Sequence, residues 1–453
     1  MPADSITAEY LSEVARRGGP PEELITVARQ HIDLSLTSYG HDVLSRPVFL
    51  DHATITGLGE DLTALYAALV GIPDRLFGGD VAAFARAAGM TDVQVAAILS
   101  SGDAPPTTLG RADIYRDETG FYAMEVNLGS EIGGLDNAML NRAFLTQPFV
   151  AEFVAAHRLT FVDSMVALAQ TLRAECGFPA GTRPVVAATD WPPSFANTEE
   201  ILRYSAAELD PLGIDFRPCH VGQLVPRDGR VWLDASPVDV VYRIFLIEDL
   251  LTPEGPDLIN PVLRAAERGE VKIFTPLNAS LYGSKAALAL LSDEANRPSY
   301  SAAELAHLDR ILPWTRMIRP GPVTVGGEQV DLAEYAAAER EDLLIKPTAL
   351  HGGYGVVQGW LADPGEWKQQ LQAAMDGPFV LQRRIRPLPE MFPAEGGPQP
   401  WVLGWGAFHG IDGYSGMIIR ASLNPDVAVM NMTKAEVSGT CCFHQAQPGA
   451  PAA

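Results

Sequence analysis

The chain has few cysteines, a shortage of positive charge and no long apolar run. Its four cysteines, Cys176, Cys219, Cys441 and Cys442, show no CxxC spacing in 453 residues. That excludes a disulfide framework or a cysteine-built zinc centre and predicts reduced thiols. The adjacent Cys441 and Cys442 read as structural rather than redox-active. Lysine and arginine total 33 against 56 acidic residues, a formal net charge of −23. A broad nucleic-acid or anionic-membrane footprint is thereby excluded. Any bound polyphosphate must be met by a few local cations or by Mg²⁺. No stretch approaches the roughly 18 apolar residues of a membrane span. The opening MPADSITAEYLSEVARRGG lacks the apolar core of a signal peptide, so a cytoplasmic location is expected. Neither GxGxxG nor a Gly-Lys-Ser/Thr phosphate loop is present.

What is present is a hydrophobic content of 47%, enough for two or three domains or subdomains. Residues 1–105 read as a helical region. Ser5 and Thr7 cap a helix over Ala8–Arg17, Pro20-Pro21 opens one over Glu22–Thr37, and Glu60–Val70, Val81–Ala88 and Asp92–Leu99 continue the pattern. His31, His41 and His52 are scattered and read as structural. SSGDAPPTT, at 100–108, marks a boundary.

Residues 109–127 predict a β-hairpin turning at Asp117–Gly120. Strand alternation puts Arg111, Asp113 and Tyr115 on one face, and Glu125 and Asn127 on one face of the returning strand. Two carboxylates and an amide carbonyl make an all-oxygen set that suits Mg²⁺. A surface salt bridge between Arg111 and Asp113 is the plainer alternative. The strand runs into LGSEIGG, where Ser130 stands at the entrance to a helix from about Leu135, a natural cradle for a carboxylate or phosphate.

Helices are predicted over 136–147 and 150–175. Between 182 and 275, strands at 184–190, 215–219 and 238–245 alternate with a helix at 198–209, a small Rossmann-like α/β unit. Ser284 then caps a helix whose first turn carries Lys285. A cation is disfavoured beside the positive end of a helix dipole, so Lys285 is either an anion ligand or a lysine snorkelling into solvent. Arg316 and Arg319 are weaker anion candidates.

In LLIKPTALHGGYGVVQGW, 343–360, an apolar strand delivers Lys346 beside Gly352, Gly353 and Gly355. Glycines let backbone N–H groups close on an anion, although an ordinary glycine hairpin has the same pattern. A helix over 364–375 and a strand through Gln382 follow. That strand turns at Pro387 and is expected to leave a sheet edge where its backbone could pair with an adenine. Strands are predicted at 401–408, 415–422 and 427–432; Arg420, on the second, requires an anionic partner. The tail after Gln445 is expected to be disordered.

The order RxD at 111–113, ExN at 125–127, SKAALALL, LLIKP before a glycine loop, VLQ before RPLP, and GMIIRAS resembles the synthetase domain of the glutathionylspermidine synthase family over about 108–435. That resemblance implies an α+β, α/β fold: a circularly permuted ATP-grasp, with metal-binding carboxylates preceding the ATP lysines. The implied organisation is an N-terminal helical region (1–105), a first part of the core with the metal hairpin (106–181), the Rossmann-like subdomain (182–275), an ATP-binding part (276–445) and a tail (446–453). By position, Asp113, Glu125 and Asn127 resemble the Mg²⁺ ligands, and Lys285, Lys346 and the strand of Gln382 the ATP contacts. Gly352, Gly353 and Gly355 resemble the lid over the phosphates. Arg111, Ser130 and Arg420 resemble residues around the transferred phosphoryl group. The implied activity is an ATP- and Mg²⁺-dependent ligase joining a small carboxylate to an amine through an acyl-phosphate. The alternatives are carboxylate activation or phosphorylation without a peptide bond, and a non-catalytic ATP-binding protein. The chain departs from the family pattern at Ile132, where the family has a further serine, and its first 105 residues match no part of it. Glutathione and spermidine are therefore not implied as substrates.

Overall fold

The computed structural model describes residues 5–18, 43–102, 104–129, 132–350, 352–394, 397–427, 430 and 437–447. It is a mixed α+β fold whose larger sheets are a six-stranded antiparallel one containing the hairpin strands Gly110–Arg116 and Phe121–Leu128, a four-stranded antiparallel one and a four-stranded parallel one. The hairpin forms one edge of a six-stranded antiparallel sheet. Gln399–Gly410 pairs with Gly110–Arg116 on one side and with Gly413–Ser422 on the other. The small and apolar alternate residues Ala112, Ile114, Ala123 and Val126 are fully buried on the core face, which leaves the polar alternates for the other face.

A second antiparallel sheet runs in the order Thr315–Met317, Phe379–Arg383, Leu343–Pro347, Val357–Gln358. Leu343, Ile345, Leu381 and Trp367 form its core against the helix Pro364–Ala374. Within 182–275 lies a four-stranded, all-parallel sheet in the order Lys272–Phe274, Val240–Arg243, Val185–Asp190, Asp215–His220. The helix Pro192–Leu209 packs on its edge strand.

Three expectations change. Helix 150–175 is two helices, Pro148–Ala156 and Ser164–Glu175. Arg158 takes a left-handed φ of 53° that ends the first, and Asp163 caps the second by accepting from the Met165 and Val166 amides. The N-terminal region is not purely helical. Val48–Leu50 forms a strand parallel to Cys442–Gln445, tying the start of the described chain to its end. Tyr10, Phe49, Phe149 and Phe153 lock that junction with ring centroids 5.1–5.3 Å apart. Finally, Phe379–Arg383 is not an edge strand, because it is flanked on both sides by Thr315–Met317 and Leu343–Pro347. The expected helix 22–37, most of the expected strand 427–432 and the last six residues lie outside the described residues. No described helix is long and apolar enough to cross a membrane. All four cysteines are buried free thiols.

Candidate active site

The hairpin register decides which polar residues face one another. Asp113 lies opposite Glu125 and Arg111 opposite Asn127, so the four share one face. Beyond that pair the ladder slips: Ile114 pairs with Ala123, leaving Met124 as the extra residue of a β-bulge. The Met124 carbonyl accepts a hydrogen bond from Lys346 Nζ at 3.1 Å, so the bulge docks the second sheet onto the hairpin. Lys346 also donates to Gln382 Oε1 at 2.7 Å, and Gln382 Nε2 donates to Thr315 Oγ1 at 3.1 Å. Gln382 therefore approaches the site through its side chain and holds the lysine. The amides that follow it, of Arg383 and Arg384, are already donated to the Trp314 and Asp342 carbonyls.

Asp113 is held by two guanidinium groups. Arg111 donates from Nε at 2.7 Å and from a terminal nitrogen at 3.0 Å, and Arg420 donates at 2.6 Å. The partly buried Arg420 thus has the anionic partner that its apolar strand required. Asn127 Nδ2 adds a contact to Asp113 at 3.4 Å. Burial would raise the Asp113 pKa, but the fields of Arg111 and Arg420 outweigh it and hold the carboxyl below its ordinary value. Burial likewise opposes the Arg111 charge, yet the adjacent Asp113 raises its pKa overall. Gly406 makes room for this arginine: a Cβ there would lie 2.9 Å from Arg111 Cδ. Arg420 Nε is buried with no hydrogen-bond partner among the described residues, a donor available to an anion.

Lys285 comes from a third element. Ser284 caps its helix by accepting from the Ala287 amide, and the Lys285 amide donates to the Thr348 carbonyl at 2.9 Å, at the end of the Lys346 strand. Its Nζ reaches Glu125 Oε1 at 3.0 Å and the Leu350 carbonyl at 2.7 Å. The unfavourable dipole position is offset by Glu125 rather than by exposure, since Lys285 is buried. Lys346 is buried too, but among the described residues its bonds go to neutral oxygens only. Burial lowers its pKa from 10.5 to about 8, with Glu125 opposing and Lys285 reinforcing the shift.

Asp113, Glu125, Lys346, Gly353 and Arg420 line a common cavity of about 60 Å³, with Tyr115, Val356 and Met430 as its apolar part. That volume holds a few water molecules and no nucleotide. Gly352, Gly353 and Gly355 all take left-handed φ values of 65–81°, and Tyr354 between them is 76% exposed. Glycine takes these conformations without the steric cost a Cβ would bring. Larger surface grooves elsewhere gather none of these residues. Ser130 lies outside the described residues, as does its neighbour Glu131. Arg316 belongs elsewhere: its guanidinium is consumed by Glu294 and the Ser292 carbonyl. Sequence reading missed the Met124 carbonyl and the Gln382 side chain as positioners, because neither a bulge nor a side-chain partner 36 residues away has a local signature.

Among the described residues no three His, Cys, Asp or Glu side chains form a metal cage. Two facing carboxylates and an amide nonetheless fit Mg²⁺, which takes one or two carboxylates and completes its shell with phosphate oxygens and water. Their oxygens now bind Lys285, Arg111 and Arg420, so a metal would exchange with those cations rather than enter an idle site.

No family model matches the chain, and no curated protein matches it in sequence. Among solved structures, it is similar to a glutathione synthetase-like effector from Globodera pallida in its apo form. The TM-score is 0.59 at 12% identity, over 95% of this chain and 99% of that one. A putative gamma-glutamylcysteine synthetase from Methylobacillus flagellatus matches 84% of this chain and 86% of its own at a TM-score of 0.43 and 12% identity, which carries no argument. The chain shares the overall fold of the effector, and at this identity the likeness extends to the fold alone.

Proposed function

We propose that the protein is an ATP- and Mg²⁺-dependent ligase that joins a small carboxylate to an amine. In this reading the fold is a circularly permuted ATP-grasp with a Rossmann-like subdomain at 182–275. The observation that carries the proposal is the convergence on one cavity of Asp113, Glu125, Lys346 and Arg420, with Arg111 and Lys285 bonded to those acids. Support comes also from the fold, shared with a protein described as glutathione synthetase-like.

Phosphoryl transfer asks for positioning and charge neutralisation rather than a protein nucleophile. Lys346 and Lys285 would hold the polyphosphate. Lys285 would leave Glu125 to do so, which frees that carboxylate for Mg²⁺ together with Asp113 and Asn127. Mg²⁺ would neutralise developing phosphate charge as a Lewis acid. Arg111 and Arg420, with the unpartnered Nε of the latter, would orient the substrate carboxylate for attack on the γ-phosphorus of ATP. An amine then attacks the acyl-phosphate carbonyl, the C–O bond to phosphate breaks, and amide, phosphate and ADP result. Ser130 is assigned to the acyl-phosphate by position in the sequence. Gly352, Gly353 and Gly355 would close over the phosphates, and the apolar wall of Tyr115, Val356 and Met430 would exclude water.

The test is Mg²⁺-ATP with a panel of carboxylates and amines, read by ADP release and product mass. A mass equal to carboxylate plus amine minus water is expected. Hydroxamate from hydroxylamine without any amide from an amine would reduce the activity to carboxylate activation. No ADP release with any pair would make this a binding protein.

A further inference from the structure

We infer that the substrate carries an apolar chain with no second anionic group, received by a cleft whose rim includes Gly133, the residue whose carbonyl is bonded to Arg111; this inference rests on the ligase reading. The cleft has a volume of about 260 Å³ and opens between the 132–136 loop, the helices Ser164–Glu175 and Pro192–Leu209, and the parallel sheet. Its walls include Ile132, Met165, Leu168, Ile201, Phe216 and Ile244.

Three observations connect it to the reacting centre and set its chemistry. First, the Gly133 carbonyl on its rim accepts from Arg111 at 2.7 Å, and the same guanidinium holds Asp113. One peptide therefore separates the cleft from the arginine that would orient the carboxylate. Second, the lining holds no lysine or arginine, and its one charged residue is Asp136, so the cleft supplies no cation to a second carboxylate or a phosphate. Third, the buried side chain of Ile132, next to Gly133 in the chain, forms part of this wall, so the apolar lining begins beside the peptide that Arg111 holds. For size, an apolar cavity of about 150 Å³ holds a benzene ring, so this cleft has room for roughly six carbons or more.

The chain can belong to the carboxylate or to the amine, and titration calorimetry with the full chain separates the two. Acetate and hexanoate form one pair of probes, ethylamine and hexylamine the other. In one pair the longer probe binds at least about tenfold more tightly, because each buried methylene contributes roughly fourfold. That pair names the substrate. Ser205→Phe, which fills the cleft from the Pro192–Leu209 helix, brings that ratio below about threefold. Ile201→Ala enlarges the cleft and moves the preference to octanoate or octylamine, so the test stands if Ser205→Phe does not fold. Equal binding of short and long probes in both pairs, or a preference that both variants leave unchanged, overturns the inference. Chain-length preference without ADP release from any pair would sink the ligase reading and leave the apolar cleft. ADP release with no chain-length preference would do the reverse.

Discussion

Two lysines reach the same hairpin one residue apart, and their surroundings differ. Lys285 meets the Glu125 carboxylate at 3.0 Å, whereas Lys346 meets the Met124 carbonyl at 3.1 Å and the Gln382 amide oxygen at 2.7 Å. Both are buried. Only Lys346 lacks a directly bonded carboxylate, and burial takes its pKa down to about 8. Burial without a counterion penalises the charged form. In the proposed function the pair would divide the work: Lys285 would exchange one anion for another, and Lys346 would meet its first.

The sharpest way to break this comparison is to remove one member of each arrangement. Lys346→Ala and Glu125→Ala should each cut ADP release at least about a thousandfold, with far-ultraviolet circular dichroism unchanged. Wild-type rates in either variant would remove the site from ATP chemistry. Asp113→Asn tests the neutralised side directly, because it leaves Arg111 and Arg420 facing each other without their shared acid. The loss is about 3 kcal/mol, read from urea denaturation. An unchanged midpoint would mean that the clamp adds nothing to stability.

A smaller effect follows from the Lys346 pKa. The lysine is charged below about 8, and the cost of burying that charge is relieved as pH rises through the interval up to the ordinary 10.5. A bound phosphate favours the charged form. Mg²⁺-ATP affinity should therefore fall as pH rises from 7 to 9, by about tenfold at most per pH unit, and Lys346→Met should flatten the slope. Calorimetry at both pH values decides it; a flat wild-type profile would contradict the assignment.

The smallest effect extends the comparison to a third buried base. His409 stacks on Tyr66 at 4.0 Å on the core face of the same sheet and has no carboxylate partner among the described residues; burial lowers its pKa. A histidine whose folded pKa lies below its unfolded value of about 6.5 leaves stability intact above that pH and costs stability below it. Melting temperature should drop between pH 7.0 and 5.5, and less so in His409→Gln. Equal drops in both proteins would assign the acid sensitivity to other groups, His444 among them, whose pKa burial also lowers.

Much of the local architecture was legible in the sequence. Period-two alternation placed Arg111 with Asp113 and Glu125 with Asn127, and a capping serine located the Lys285 helix. An apolar run followed by glycines located Lys346. These features follow from backbone sterics and nearest neighbours. The break at Arg158 was not legible, because a left-handed arginine has no composition to announce it. The bulge at Met124, the inner position of the Gln382 strand and the clamp between Arg420 and Asp113, 307 residues apart, were decided by tertiary structure alone. So was the placement of Ile132 in an apolar cleft one peptide from the arginine cluster. Strand pitch and capping act within a few residues and are written locally. Which carboxylate meets which cation depends on two sheets and the Lys285 helix closing on one another, and no local stretch of the chain carries that information.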